Sequence, residues 1–239
     1  MKHILLIGSG AREHIIAETL KRSPQSVALR VLGTSNNPGL LALADHYKVG
    51  DICDPEQVVE YAKEVAVDWA IVGPEAPIAT GVVDALAEAG IACFAPQQSV
   101  GQLETSKSFT RSLLKKYDIP GNPRFKDCHD GTCVETSIAE FAGNYVVKAD
   151  GLKGGKGVKV SDEHLATPAE GLQYALACIE ESGHVVIEEK LVGEEFSLMF
   201  FCDGETVVPM PAVQDHKRAH EGDTGPNTGG MGSYSDANH

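Results

Sequence analysis

Short apolar runs separated by stretches of helical spacing constrain this chain more than any other feature. They fall at residues 4–7, 28–32, 70–72 and 91–94. A run such as Ile4-Leu5-Leu6-Ile7, apolar at successive positions, suits a strand covered on both faces, which is the environment of a parallel sheet. Residues 13–21, 55–65 and 78–89 carry the spacing of helices that would cover such a sheet. In a parallel sheet, ligands bind beyond the carboxyl ends of the strands. The unusual residues sit there: Gly8-Ser9-Gly10-Ala11-Arg12-Glu13-His14, Thr34-Ser35-Asn36-Asn37-Pro38-Gly39 and Gly73-Pro74-Glu75-Ala76-Pro77.

With 239 residues, 42% of them apolar and 23% charged, the chain can bury a globular core in two or three modules. Its formal charge of −14 disfavours nucleic acid or an anionic membrane as a partner, so any anion must be bound locally. The six cysteines form no CxxC pair and are too sparse for a secreted disulfide framework, so reduced thiols in the cytoplasm are expected. Cys128, His129 and Cys133 match no zinc spacing, and no metal is assigned to them. The first apolar run stops at Gly8, short of a signal-peptide core, and no stretch is long enough to span a bilayer.

Gly8 and Gly10 begin a dinucleotide-type turn, but Glu13 stands where close helix packing requires a third glycine. No acidic residue closes the second strand either, which disfavours NAD. Two readings stay open for the loop: an amide cradle with Arg12 beside it, suited to one phosphate, or a tight turn with a surface arginine. A second module opens near Leu103-Glu104-Thr105-Ser106-Lys107, with residues 96–102 as a connection and Thr105 or Ser106 as a helix cap. It continues to a strand over residues 145–148 and the segment Ala149-Asp150-Gly151-Leu152-Lys153-Gly154-Gly155-Lys156-Gly157. Four glycines among Lys148, Lys153, Lys156 and Lys159 suit a polyphosphate, although the spacing is not that of a Walker loop. Lys148, on a buried strand, must find an anionic partner. A hairpin surrounds Asp203-Gly204-Glu205, and the final 25 residues read as a flexible polar loop or an anion-binding active-site loop.

Taken together, these motifs resemble the glycinamide ribonucleotide synthetases, within the ATP-grasp superfamily. The resemblance rests on Gly8 to His14, Val72-Gly73-Pro74-Glu75, Leu103 to Phe109, Val147-Lys148-Ala149-Asp150-Gly151, Gly155-Lys156-Gly157-Val158, Ile187-Glu188-Glu189, Gln214-Asp215-His216-Lys217-Arg218 and Asp223 to Gly232. It implies an α/β fold: a Rossmann-like parallel-sheet domain over 1–105, an ATP-grasp flap subdomain over 106–192, and the start of an α+β central domain over 193–239. The implied reaction joins glycine to 5-phosphoribosylamine at the expense of ATP. Gly8, Gly10, Arg12, Glu13 and Glu75 would hold the phosphoribosylamine. Lys107, Lys148, Gly151, Gly154, Gly155, Lys156 and Gly157 would meet the phosphates; Glu188, Glu189 and Leu191 would meet adenine, and Glu195 the ribose. Asp215, Lys217, Arg218, Asn227 and Thr228 would close the catalytic site.

The resemblance also implies Mg²⁺, or Mn²⁺ in its place, with its ligands expected past His239. The chain is therefore expected to be a shortened form with little turnover alone, a monomer or weak homodimer acting on small molecules. The loop Asn36-Asn37-Pro38-Gly39 departs from the family's Pro-Gly-Asn order. Two further classes stay open: a related ATP-grasp carboxylate–amine ligase, and a non-catalytic nucleotide- or substrate-binding module. A nicotinamide-dependent oxidoreductase is disfavoured by Glu13.

Overall fold

Every residue from Ile4 to Ile7 is at most 1% exposed, so neither face of the first strand meets solvent. The structure, a computed structural model, describes residues 1–154 and 156–236 in two compact units, Met1–Asp118 and the chain from Ile119 onward. The first unit runs β1 (Lys2–Ile7), α1 (Ala11–Arg22), β2 (Val27–Gly33), α2 (Pro38–Leu43), β3 (His46–Val49), α3 (Pro55–Glu64), β4 (Trp69–Val72), α4 (Glu75–Ala79), α5 (Val82–Glu88), β5 (Ala92–Phe94), α6 (Gln98–Thr105) and α7 (Lys107–Lys116). Its sheet has the order β3-β2-β1-β4-β5 and is parallel throughout. Because side chains alternate along a strand, Leu5 and Ile7 join Val58, Tyr61, Val82 and Leu86 on one face, while Ile4 and Leu6 join Ala17, Leu29 and Leu40 on the other. Each buried Val, Leu or Ile among them contributes about 1.5–3 kcal/mol by leaving water.

Two expectations for this unit are corrected. The single helix over 78–89 is two, α4 and α5, because Gly81 takes the left-handed conformation (φ 83°) at the start of α5. The connection over 96–102 is mostly α6. Sequence reading also missed α2 and β3, too short for their periodicity to register. Ser106 does cap α7, accepting from the Phe109 amide at 3.1 Å.

The second unit runs β6 (Phe125–Cys128), α8 (Gly131–Glu140), β7 (Tyr145–Ala149), β8 (Val158–Val160), α9 (Pro168–Ser182), β9 (Val185–Glu189), β10 (Phe200–Cys202), β11 (Val207–Pro209), β12 (Gln214–His220) and β13 (Thr224–Tyr234). Four strands make an antiparallel sheet in the order β6-β9-β7-β8. Val147, Val185 and Ile187 pack from this sheet against Val134, Ile138 and Ala175 of α8 and α9. Two ribbons follow, β10–β11 and β12–β13. The final segment is therefore not a loose loop: Gln214–His220 and Thr224–Tyr234 pair as strands with irregular register on both sides of Arg218. The β10–β11 ribbon leaves Phe196, Met199, Phe200, Phe201, Val207 and Val208 more than half exposed. The thiol expectation is corrected at one place: Cys128 and Cys133, with Cα atoms 5.4 Å apart, form a disulfide between the end of β6 and the first turn of α8. Cys53, Cys93, Cys178 and Cys202 are free. Among the described residues, no helix is long and apolar enough to cross a membrane.

Candidate functional site

In the first unit, the order β3-β2-β1-β4-β5 reverses direction between β1 and β4, and the crevice beyond the strand ends at that reversal is the ligand position of such sheets. The loops after these two strands meet there. Gly8 has φ +124° and donates to the Leu32 carbonyl at 2.9 Å. Arg12 Nη1 donates to the Gly73 carbonyl at 2.9 Å, and Glu75 opens α4 directly behind that glycine.

Glu13 does not face the crevice as a free carboxylate. It is 4% exposed and folds back so that Oε2 accepts from the Gly10 amide at 2.6 Å. A Cβ at Gly73 would lie 2.0 Å from Glu13 Oε1, and one at Gly8 would lie 2.7 Å from its Cδ. Glu13 thus fills, from within, part of the amide cradle expected for a phosphate. The departure at Asn36-Asn37-Pro38-Gly39 also finds an explanation. Asn37 caps α2 through Oδ1 and uses Nδ2 to hold the Ser9 carbonyl at 3.0 Å, while Gly39 leaves room for the His14 ring. Sequence reading singled out this loop but gave Asn37 no role; the signal for one was an Asn-Pro helix start beside a glycine loop.

In the second unit, β7 and β8 carry the glycine-rich loop. Its foot is closed by the Ala149 amide donating to the Gly157 carbonyl at 2.8 Å, and Gly151 and Gly154 have φ of +79° and +55°. Gly155 lies outside the described residues. Lys153 pairs with Glu181 of α9 at 2.6 Å, and Lys156 is exposed. Lys148 has found its anion. Lys148 pairs across the sheet with Val186 and Val146 with Glu188, so Lys148 and Glu188 sit diagonally on one face, with Nζ and Oε2 2.6 Å apart. Lys107 is the first residue of α7, in the first unit.

A cleft of about 600 Å³ lies between the chain that continues β9 and the β12–β13 hairpin. It brings together Leu191, Glu195, Asp215, Lys217, Arg218 and Asn227, six of the residues singled out by motif. Glu195 and Lys217 pair across it. Thr228 stands behind, donating to the Lys217 carbonyl at 2.9 Å. Glu189 turns away: its carboxylate takes the Arg124 amide and guanidinium, both at 2.8 Å, which hold it below the usual carboxylate range. Glu188 is committed to Lys148 and does not line the cleft.

Sequence reading gave no role to Glu163, which lines the cleft. Glu163, after β8, pairs with Arg218 at 2.7 Å and Lys190 at 3.3 Å, and the Arg218 hydrogen bond, ahead of Lys190, holds its carboxyl below the usual range. Arg218 is fixed at its other end by donation to the Gly225 carbonyl at 2.8 Å. Glu163 falls in no recognisable motif, so only three-dimensional proximity reveals it, whereas Lys190 lies inside the Glu188 to Leu191 segment expected to meet adenine. Among the described residues, no group of three His, Cys, Asp or Glu side chains could hold a metal ion.

Comparison with known proteins decides the family. Residues 2–104 match the N domain of phosphoribosylglycinamide synthetase, and residues 105–239 match its ATP-grasp (A) domain. The chain belongs to the phosphoribosylglycinamide synthetase family. It is 48% identical over 240 residues to the phosphoribosylamine–glycine ligase of Methanosarcina barkeri and equally to that of Methanopyrus kandleri, covering 98% of this chain and 54% of each relative. The chain thus spans about half the length of the curated relatives it matches. The crystal structure of phosphoribosylamine–glycine ligase from Thermotoga maritima superimposes with a TM-score of 0.77 at 31% identity, over 97% of this chain and 55% of that one. N5-carboxyaminoimidazole synthetase from Staphylococcus aureus, 17% identical, shares the fold alone, with a TM-score of 0.72 over 91% of this chain and 55% of the other. The α/β architecture of a parallel-sheet domain followed by ATP-grasp elements is that of the synthetase family.

Proposed function

We propose that this chain contributes the substrate unit and part of the nucleotide site of an ATP-dependent ligase that joins glycine to 5-phosphoribosylamine in purine synthesis. The observation that carries this reading is the family match across both units, with six motif residues lining one cleft. In the proposed reaction a glycine carboxylate oxygen attacks the γ-phosphorus of ATP, and ADP leaves. The amine of phosphoribosylamine then attacks the acyl carbon of the glycyl phosphate; phosphate leaves and the amide forms with loss of a proton. Such transfers depend on positioning and charge stabilisation, which suits lysines and backbone amides in place of a nucleophilic side chain.

In this reading residues 1–105 are the substrate domain, 106–192 the flap subdomain and 193–239 the start of the central domain. Arg12, on the Gly8 to His14 loop, and Glu75, behind Gly73, take the phosphoribosylamine, and Glu13 shapes that loop with Gly8 and Gly10. Lys107, Lys148 and the Gly151 to Gly157 segment meet the phosphates; the chain from Glu188 to Leu191 meets the base, and Glu195 the ribose. Asp215, Lys217, Arg218, Asn227 and Thr228 hold the glycine side of the cleft and keep water from an acyl phosphate that would hydrolyse. Among the described residues, no group of three His, Cys, Asp or Glu side chains could hold Mg²⁺ or Mn²⁺. The same reading places the protein in the cytoplasm with small-molecule substrates.

Calorimetric titration with ATP and, separately, ribose 5-phosphate tests the assignment: both should bind, without competing. Phosphate release by this chain, or by a longer form containing it, should require glycine and phosphoribosylamine together. Release supported equally by another carboxylate and amine would move the chain to a different ATP-grasp ligase. Absence of both binding events would remove the reading.

A further inference from the structure

The turn that opens α1 is fastened by side chains from two directions. On the β4 side, Arg12 donates to the Gly73 carbonyl at 2.9 Å, and Glu13 fills the space that this glycine leaves. On the β2 side the fastening falls to Asn37 and Thr34. Asn37 Nδ2 donates to the Ser9 carbonyl at 3.0 Å and reaches the Gly10 carbonyl at 3.5 Å, and the Ser9 and Thr34 hydroxyls pair at 3.0 Å. The Ser9 carbonyl and the Gly10 amide are the two ends of one planar peptide group. Asn37 therefore holds one end of that group and Glu13, through the Gly10 amide at 2.6 Å, the other.

Capping alone does not call for asparagine at position 37, because Ser and Asp accept from the first amides of a helix as well as Asn does. What asparagine adds is a donor. Its Oδ1 takes the Gly39 and Leu40 amides at 3.0 and 3.2 Å, and since the side-chain amide is planar, Nδ2 is turned away from α2 and onto the Ser9 carbonyl. Asn37 is in turn braced from β3. Tyr47 Oη donates to the Ser35 carbonyl at 2.6 Å and accepts from the Asn37 amide at 3.4 Å, so both ends of the segment 35–37 hang on one phenol. Gly33, the last residue of β2, is bare where these pieces converge: a Cβ there would lie 2.7 Å from Tyr47 Oη and 2.9 Å from Ser9 Cβ.

We propose that Asn37 is a positioning residue for the crevice of the first unit: its amide nitrogen, braced by Tyr47, holds the Ser9–Gly10 peptide in the orientation that receives the phosphate of the sugar phosphate. Asn37 acts through the turn and has no assigned contact with the ligand. A turn fixed before the ligand arrives spares the cost of ordering it on binding. The tie stands on these hydrogen bonds; the ligand it serves rests on the function proposed above.

Asn37→Ser separates the two jobs of this side chain, since serine keeps a capping oxygen without adding charge and is too short to reach Ser9. In amide hydrogen exchange of the full chain, followed in ¹H–¹⁵N spectra, the Gly10 amide of this variant should exchange several-fold faster. The Leu41 amide, which donates to the Asn37 carbonyl within α2, should keep its wild-type rate. Ribose 5-phosphate titrated calorimetrically should bind the variant about two- to tenfold more weakly, the usual worth of one hydrogen bond. Unchanged exchange at Gly10, or equal acceleration at Gly10 and Leu41, would overturn the tie. Faster exchange at Gly10 with undiminished affinity would overturn the positioning role. If Asn37→Ser does not fold, Tyr47→Phe serves: it keeps the ring, loses the hydroxyl and should move both readouts in the same direction, and no change in either counts against the proposal. A wild-type chain that does not bind ribose 5-phosphate defeats the functional reading and with it the phosphate as ligand, while exchange at Gly10 still decides the tie.

Discussion

Glycine at position 73 is a packing requirement set by a single carboxylate. Its absent side chain leaves the space that Glu13 fills, and Glu13 cannot retreat without breaking its bond to the Gly10 amide. Gly73→Ala should therefore destabilise the first unit by about 1–3 kcal/mol, the usual cost of overpacking, measured by urea unfolding. Glu163 makes a different demand at the same scale. Its carboxyl is held low chiefly by Arg218, so its contribution is present above the ordinary glutamate range, near 4.3, and fades as pH falls through the lower folded value. Because the side chain is 37% exposed, that contribution is at most about 1 kcal/mol after solvent screening. Melting curves of the wild type and Glu163→Gln should differ by this amount near neutral pH and converge as the pH falls below the ordinary glutamate range.

Among the elements, β7 and β9 form the pair on which the proposed nucleotide site depends. Lys148→Met removes the cation that offsets the buried charge of Glu188 and should cost about 3 kcal/mol. The double variant Lys148→Met/Glu188→Leu should recover most of that stability in chemical denaturation, yet bind ATP no better than the single variant in calorimetry. The need for such a partner was legible from Lys148 lying within an apolar run, as were β1, β2, β4 and β5 of the parallel sheet, whose runs are almost wholly apolar. Less legible were elements defined by something other than periodicity. Gly81 divides α4 from α5 through a backbone angle, and α6 has too few apolar residues to announce a helix. The polar, glycine-rich β12–β13 hairpin has strand pairing that is held by cross-strand hydrogen bonds and not by an apolar face. In the cleft, motif residues could be named from sequence because they recur as a family pattern; Glu163 could not, since its role exists only once β8, β9 and β12 are brought together. The Cys128–Cys133 bridge was missed because composition speaks for the average cysteine, whereas a strand end and a helix start place these two side by side.

At the scale of the whole molecule, the two units have separate cores, and the only tryptophan, Trp69, lies in β4 of the first. Tryptophan fluorescence should therefore follow the first unit alone while far-ultraviolet circular dichroism follows both. Gly73→Ala should shift the fluorescence transition, and Lys148→Met should shift only the remainder of the dichroism signal. Coincident shifts of both probes in both variants would mean that the units unfold as one. The bare β10–β11 ribbon, with its row of exposed Phe, Met and Val side chains, also bears on colloidal behaviour. A chain carrying −14 charges keeps its copies apart by mutual repulsion despite this adhesive strip, and that protection disappears near the isoelectric point of about 5.0. Light scattering should accordingly rise as the pH approaches 5, and rise at neutral pH when salt screens the repulsion, so preparations of this protein will keep best in dilute, mildly alkaline buffer.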